Sequence, residues 1–223
     1  LSIGSLLLAY IISIPIGVSS AVGRDSFFDR ITTFGLFLLY SLPSFWIATL
    51  ALVFLCGGDY WNIFPASNLS SMGAENLPLG SWILDRLWHL VLPLSVLTYP
   101  SLAALSRYAR TGMLEIIRQD YMRTARAKGL PERTVIFVHG LRNSLIPIIT
   151  LLAFELPAIL GGSVIVEQIF GIQGMGVMTL QAIQGRDYTL IMGIFTISAF
   201  LTLAGFLIGD ILYCVADPRI RLN

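Results

Sequence analysis

The chain has 223 residues, of which 56% are hydrophobic and only 12% are charged, and its formal net charge is +1 at pH 7. Soluble domains carry about 25% charged residues. The chain therefore has too little polar surface to cover a water-facing globule, which excludes an ordinary soluble domain and indicates that much of its surface faces lipid.

Five apolar stretches are long enough to cross a bilayer, whose hydrocarbon core of about 30 Å requires about 20 helical residues. In chain order they are Leu1–Gly23, Ile31–Gly58, Leu87–Ser106, Asn143–Val166 and Tyr188–Gly209. Pro43 interrupts the second stretch, and Glu155 is the acid of the fourth. Because the apolar runs are continuous, they favour helices over the alternating strands of a barrel. The sequence predicts an all-α integral membrane protein with about five transmembrane helices.

The basic residues between these stretches predict the topology. Twelve of the fourteen lie on alternate sides of the predicted spans, in the connections 24–30 and 107–142 and in the C-terminal tail. Arg86 and Arg186 lie in the other two connections, 59–86 and 167–187. Basic loops stay on the cytoplasmic side of a membrane. We therefore expect residue 1 outside and the C-terminus in the cytoplasm of a multi-pass protein.

The connection 107–142, called the basic segment below, carries eight of these residues. It contains good helix formers with an apolar residue every three or four positions, and Gly129, Leu130 and Pro131 predict a helix stop followed by a new start. Tyr121, Ala125 and Gly129 are spaced to share one small helical face. The residues alone leave two interpretations open, which are a helix lying on anionic lipid and a docking site for a protein.

Part of the basic segment is similar to a known motif. The run Asp120-Tyr121-Met122-Arg123-Thr124-Ala125-Arg126-Ala127-Lys128-Gly129, continued by Arg142-Asn143-Ser144-Leu145-Ile146-Pro147, resembles the EAA loop of binding-protein-dependent ABC importer permeases. The chain is most similar to the dipeptide, oligopeptide and nickel permeases, although Thr124-Ala125-Arg126 replaces the strict Glu-Ala-Ala triplet. Gly161–Glu167, Arg186–Tyr188 and the ending Asp210–Arg221 also resemble that family, which the chain matches over essentially its whole length.

This resemblance implies a fold, a site and a set of partners. The fold would be a MetI-like permease bundle forming a single transmembrane domain over 1–223, with the family's first helix missing before Leu1. Tyr121, Thr124, Ala125, Ala127 and Gly129 would form the coupling helix that docks in a groove of an ATPase. The expected partners are a second permease subunit, identical or different, two cytoplasmic ABC ATPase subunits and an extracytoplasmic solute-binding protein, in a bacterial or archaeal cytoplasmic membrane.

The residues predict no catalytic, cofactor or metal site. The glycines at 171, 174 and 176 have the wrong spacing for a nucleotide fingerprint, and a turn explains them better. His89 and His139 lie on opposite sides of the predicted membrane and cannot share a metal. We therefore expect transport without enzymatic activity in this chain and ATP hydrolysis in a separate subunit.

Glu155 is the remaining candidate, because its position places an acid near the middle of the bilayer. Such an acid either lines a pathway, where it would attract the amino group of a cargo, or is a hydrogen-bonded structural residue at an interface. The leading hypothesis is a peptide permease. Nickel complexes and glutathione are alternative cargoes, and an ion-coupled secondary transporter or a membrane scaffold are alternative classes. A secondary transporter usually has two related halves, and the sequence contains no repeat.

Overall fold

The computed structural model describes residues 1–57, 60–155 and 162–216. Every regular element in this part of the chain is helical. The α-helices are α1 (Ser2–Val22), α2 (Phe27–Ser41), α3 (Ser44–Leu55), α4 (Leu79–Ile117), α5 (Asp120–Ala127), α6 (Glu132–Thr134), α7 (Leu141–Ser144), α8 (Ile146–Glu155), α9 (Val164–Ile169), α10 (Met175–Gln184) and α11 (Tyr188–Ala216). A 3₁₀ turn covers Ala74–Asn76, and a π-helix covers Val135–Gly140.

Three helices are long and apolar enough to cross a membrane: Ser2–Val22, Leu79–Ile117 and the Tyr188–Ile211 part of α11. They confirm the first, third and fifth predicted spans. α4 is much longer than predicted, because it begins eight residues before Leu87 and continues through the first third of the basic segment. At 1.5 Å per residue its 39 residues extend about 58 Å, roughly twice the thickness of a hydrocarbon core.

The second predicted span is a bent pair of helices rather than one straight helix. α2 ends at Ser41, α3 begins at Ser44, and the two axes differ by 95°. Pro43 is the N-cap of α3 with extended dihedral angles, and its ring leaves no N–H to continue the ladder of α2. The hydroxyl of Tyr99 donates a 2.7 Å hydrogen bond to the carbonyl oxygen of Leu42, which satisfies one backbone group at the bend. Such a pair is either a broken span or a re-entrant loop.

The fourth predicted span is only partly described. α8 ends at Glu155, residues 156–161 lie outside the described part of the chain, and α9 begins at Val164. The described residues therefore do not test whether Asn143–Val166 is one helix, and five spans remain a prediction.

The predicted outer connection 59–86 is shorter in the structure, because its last eight residues are the first turns of α4. The backbone amide and the hydroxyl of Ser71 donate hydrogen bonds of 2.9 and 2.6 Å to the Asp85 carboxylate. Arg86 lies over the ring of Trp82, with 4.4 Å between the guanidinium carbon and the ring centroid. These side-chain contacts organise a connection in which the sequence has four serines and two prolines.

The chain clusters into two compact units. The single permease domain over 1–223 stays a prediction. Unit 1 comprises Leu1–Leu7, Tyr40–Pro100 and Ile159–Phe200, and unit 2 comprises Leu8–Leu39, Ser101–Ala158 and Leu201–Asn223. In unit 1, the hydroxyl of Thr98 donates to the carbonyl oxygen of Ser5 at 3.3 Å. In unit 2, a Cβ added to Gly17 would lie 2.6 Å from the Cβ of Ala109, so α1 and α4 cross almost backbone to backbone.

Candidate functional site

The basic segment belongs to unit 2 and is built almost entirely from helix. Its first residues continue α4 to Ile117, and Gln119 is the extended N-cap of α5. Asp120 lies in the first turn of α5 and Arg126 in the last, which is the favourable arrangement with respect to the helix dipole. After α6 the backbone widens into the π-helix before α7. The segment is therefore an ordered helix–turn–helix and not a flexible linker.

The predicted helix stop at Gly129 is confirmed. Lys128 is the C-cap of α5, and Gly129 follows it with φ of 78°. The Gly129 amide donates to the carbonyl oxygen of Arg126 at 2.9 Å, and the Leu130 amide donates to that of Ala125 at 3.4 Å. This pair of bonds is a Schellman motif, which places a residue in the left-handed region and so favours glycine. Pro131 then starts α6 as its N-cap.

An ion pair holds the two sides of this turn together. Arg126 Nη2 lies 2.9 Å from Glu132 Oε1, and Arg126 Nε lies 3.2 Å from Oε2. The hydrogen bonds from the Arg126 guanidinium lower the pKa of the exposed Glu132 carboxyl. Exposed pairs contribute little to stability, so this one selects the angle of the turn more than it stabilises the fold.

The predicted small face of Tyr121, Ala125 and Gly129 is divided in the structure. Ala125 is only 7% exposed and packs with the fully buried Met122 and Val135, next to Ile116. Gly129 lies beyond the end of α5. The outward surface of α5 instead includes Tyr121, Thr124 and Ala127, while Ala125 faces the chain's own core. The predicted spacing of apolar residues along α5 is correct. Which face of α5 turns inward depends on Val135 and Ile116, against which the helix packs.

Two large apolar residues of the π-helix are also exposed. Phe137 is 56% exposed and Val138 is 58% exposed, whereas Val135 and Ile136 of the same turn are buried. A Cβ on Gly140 would lie 2.7 Å from Cε of Met113, so the next turn packs closely on α4. The wider π-turn thus presents Phe137 and Val138 outward while it keeps the rest of the turn in the core.

Tyr121 and Asn143 link the two halves of the motif that the sequence singled out. The Asn143 side-chain amide donates to the hydroxyl of Tyr121 at 3.0 Å and to the carbonyl oxygen of His139 at 3.3 Å. This bond fixes Tyr121 at the surface of α5. The structure therefore brings Tyr121, Thr124 and Ala127 together on one surface that Asn143 supports.

Glu155 lies at the last residue of α8 and is partly buried. On α1 of the same unit, the hydroxyl of Tyr10 lies 3.5 Å from the carbonyl oxygen of Ile148, which belongs to the same helix as Glu155. The residues that follow Glu155 are outside the described part, so a role in a pathway stays a prediction. Residues 217–223 of the C-terminal motif also lie outside the described part of the chain.

Sequence reasoning missed a buried ion pair that ties Arg110 of the basic segment to α2. Asp29, at the start of α2, is 4% exposed. Arg110 donates two hydrogen bonds to it, from Nε to Oδ1 and from Nη2 to Oδ2, both 2.8 Å. The Ser20 hydroxyl and the Asp25 backbone amide also donate to the same carboxylate. No local signal predicts this arrangement, called the aspartate clasp below, because 81 residues separate its two charged members.

Unit 1 contains a second buried acid that the sequence had suggested only as part of the resemblance. Glu167 is 4% exposed, and its carboxylate accepts hydrogen bonds from the amides of Ser163 (3.2 Å) and Val177 (2.8 Å). Gly162, Gly174 and Gly176 surround it so closely that a Cβ on any of them would press on the carboxylate. These residues form the glutamate cradle. The spacing of the glycines was the available signal, and it had been interpreted as a turn.

Among the described residues, no three His, Cys, Asp or Glu side chains are grouped in a way that could hold a metal ion.

Comparisons with known proteins identify the family. Residues 13–222 match the family described as binding-protein-dependent transport system inner membrane component. The oligopeptide transport system permease protein AppB of Bacillus subtilis is 44% identical over 97% of this chain and 66% of its own length. A putative peptide transport system permease of Brucella abortus is 38% identical over 100% of this chain and 69% of its own.

The dipeptide transport system permease protein DppB of Escherichia coli is 35% identical over 99% of this chain and 69% of its own length. The chain thus spans about two thirds of the length of these curated relatives. The apolar helices and the ordered basic segment agree with a membrane-embedded permease, and the chain belongs to the family of binding-protein-dependent ABC importer permeases.

Proposed function

We propose that this chain is the membrane-spanning subunit of an ATP-driven importer for dipeptides or oligopeptides. The observation that carries the proposal is the ordered basic segment, which presents Tyr121, Thr124, Ala127 and the π-helix residues Phe137 and Val138 outward from a packed core. Exposed apolar residues bordered by basic residues are typical of a surface that binds a protein or a membrane. A helix that only lay on lipid would need no such internal support.

The partners are those that an importer of this kind requires. Two ATPase subunits bind the basic segments from the cytoplasm, a second permease completes the pathway, and a solute-binding protein delivers cargo from outside. Tyr121, Thr124, Ala127 and Gly129 belong to the coupling surface, and Ala125 supports it from within. ATP is hydrolysed in the ATPase subunits, and the permease chain itself needs no cofactor.

Peptide cargo rests on the relatives, two of which are named for oligopeptide and dipeptide transport. The decisive experiment combines co-purification with transport. The permeases and ATPase subunits are reconstituted in vesicles with the binding protein, and uptake is measured for a dipeptide, an oligopeptide, a nickel complex and glutathione. ATP-dependent uptake of a peptide supports the proposal. Uptake driven by an ion gradient without the ATPase, or uptake of nickel or glutathione alone, contradicts it.

Variants at Gly129 test the coupling surface directly. Apart from its chain neighbours, no described residue has an atom within 4 Å of a Cβ built on Gly129, so its requirement is the left-handed backbone and not space. Gly129→Asn should keep both ATPase binding and uptake, because asparagine tolerates this conformation, whereas Gly129→Val should weaken both while the subunit still inserts. Equal uptake by the two variants would count against the turn as part of the coupling surface.

Surface labelling tests the proposed sidedness. Ser67, Gln173 and Arg118 are exposed, and each is replaced singly by cysteine. An impermeant thiol reagent added to intact cells should label Ser67→Cys and Gln173→Cys but not Arg118→Cys. Labelling of Arg118→Cys from outside would place the basic segment on the wrong side for an ATPase.

Glu155 is proposed to line the pathway and attract the amino terminus of the peptide. Glu155→Gln keeps the size and removes the charge, so it should lower uptake more for a peptide with a free amine than for one whose amine is blocked. Equal uptake of both peptides by the variant and the wild type would remove Glu155 from the pathway.

A further inference from the structure

The aspartate clasp joins three parts of unit 2 at one carboxylate. Ser20 comes from the last turns of α1, Asp29 from the first turn of α2, and Arg110 from α4 three residues before Met113. The Asp25 amide, in the turn between α1 and α2, closes the remaining side at 3.0 Å. Each oxygen of the carboxylate therefore accepts two hydrogen bonds, and the three donor residues come from different stretches of backbone.

A buried ion pair is a poor device for stability alone. Removing two charges from water costs several kcal/mol, and apolar residues of similar volume often stabilise a protein as well or better. What an ion pair adds is a defined geometry, because the planar guanidinium fixes both the distance and the angle to a carboxylate. Arg110 uses this fork in full, with two parallel bonds to Asp29.

The basic segment packs on the same end of α1 that the clasp holds. Val18 and Ala21 of α1, Met113 of α4 and Ile136 of the π-helix form one buried apolar cluster, against which Leu141 packs. Gly17, directly before Val18, crosses α4 so closely that a Cβ would press on the carbonyl oxygen of Ser106. The part of the basic segment that follows α4 therefore packs on α1 as well as on the end of α4.

From this geometry we infer that the end of α1 and the turn between α1 and α2 are part of the coupling apparatus, and that Asp29 and Arg110 are its positioning residues. The inference rests on the proposed function, since it names the contacts through which movement of the ATPase subunits reaches the membrane-spanning helices by way of the basic segment. The apolar cluster contributes contacts that are not directional, so it fixes neither a distance nor an angle. The clasp supplies the fixed bond that makes α1, α4 and the basic segment move as one body.

Coupling, rather than folding, is therefore the quantity to measure. Asp29→Asn keeps the size of the side chain and its capacity to accept hydrogen bonds, but it removes the charge that holds Arg110. Glu75→Gln is the control, because Glu75 is an exposed acid of the connection 59–86 and the variant removes one negative charge away from the clasp. Asp29→Glu tests whether charge without the original geometry is enough.

The experiment uses the complete importer in vesicles, with ATP hydrolysis and peptide uptake both expressed per assembled complex. We expect Asp29→Asn to keep ATPase binding and hydrolysis and to lower uptake per ATP about tenfold, which is the scale of a typical coupling free energy. Asp29→Glu should fall between this variant and the wild type, and Glu75→Gln should equal the wild type. A structural role alone would lower the amount of complex, hydrolysis and uptake together and leave their ratio unchanged, which would overturn the inference.

Spin labels provide a second readout that does not depend on transport. Arg24 and Arg118 are exposed; Arg24 lies in the turn between α1 and α2, and Arg118 directly follows α4. Labels at these positions should keep one distance with and without nucleotide in the otherwise wild-type importer and should show several distances in Asp29→Asn. A distance that changes with nucleotide in the otherwise wild-type importer would overturn the inference. A wild-type complex that binds no ATPase would instead overturn the proposed function.

Discussion

Asp29 in unit 2 and Glu167 in unit 1 are each 4% exposed, yet the groups that stabilise their carboxylates differ in kind. Asp29 is held by a guanidinium and a hydroxyl from distant helices. Glu167 is held by backbone amides of its own neighbourhood, one of which is in the first turn of α10. A helix N-terminus attracts a carboxylate through its free amides and its dipole.

The difference determines which substitutions each acid tolerates. Backbone donors cannot be mutated away, but they reach Glu167 only because Gly162, Gly174 and Gly176 leave room for it. The glutamate cradle is therefore sensitive at its glycines. The aspartate clasp depends on side chains and is sensitive at its charged members. The four predictions below test this contrast.

The largest effect is expected from Arg110→Met, which keeps the apolar stem and removes the guanidinium. Asp29 would then be buried without its cation, and breaking a buried pair in this way costs about 3–5 kcal/mol. Unfolding of the purified subunit by a denaturing detergent measures the loss. Arg107→Met is the matched control, because Arg107 is an exposed arginine one turn earlier on α4. The double variant Asp29→Asn with Arg110→Met should recover part of the loss, and a strictly additive result would contradict the pairing.

Gly174→Ala should have the next largest effect. The added Cβ would lie 2.7 Å from Glu167 Oε2 and closer still to the rest of the carboxyl group, so the acid or the start of α10 must move. We expect a loss of about 1–3 kcal/mol from overpacking, with a further loss if an amide is left unpaired. Gly80→Ala should be neutral or stabilising, because outside its own helix no described residue lies within 4 Å of the new methyl group. Similar losses in both variants would show that crowding at Glu167 is not the cause.

Glu167→Gln separates charge from shape in the glutamate cradle. Glutamine has one acceptor oxygen, so its NH₂ group must face either the Ser163 or the Val177 amide, donor against donor. We expect a loss of about 1–3 kcal/mol in the same unfolding assay, the cost of leaving a buried donor unpaired. Glu75→Gln, at an exposed acid of the same unit, should change nothing. A tolerated Glu167→Gln would mean that shape alone, and not the acceptor pair, defines the cradle.

The sequence predicted those features that depend on neighbouring residues. The apolar runs of α1 and α11 predict spans because lipid acts on each run separately, and Gly129 with Pro131 predicts the turn because both restrict the local backbone. The features that it did not predict depend on distant residues. Ala125 faces inward because Val135 and Ile116 lie beside it, α2 and α3 bend by 95° where Tyr99 supports the break at Pro43, and Arg110 meets Asp29 across 81 residues.

The smallest effect is expected from Ser106→Ala. The informative quantity is the difference between its free energy of unfolding and that of Ser20→Ala. Both serines are buried near the crossing of α1 and α4. Among the described residues, the Ser106 hydroxyl has no hydrogen-bond partner, whereas the Ser20 hydroxyl donates to Asp29. A buried hydroxyl without a partner stabilises nothing, so Ser106→Ala should be neutral or raise the free energy of unfolding by less than about 1 kcal/mol. Ser20→Ala should cost about 1–3 kcal/mol, because its hydrogen bond goes to a charged group.

Thermal unfolding in detergent under identical conditions ranks the two variants. If Ser106→Ala is as costly as Ser20→Ala, the loss of stability does not depend on the hydrogen bond to Asp29. The buried hydroxyl groups themselves would then stabilise the crossing of α1 and α4 together with the aspartate clasp.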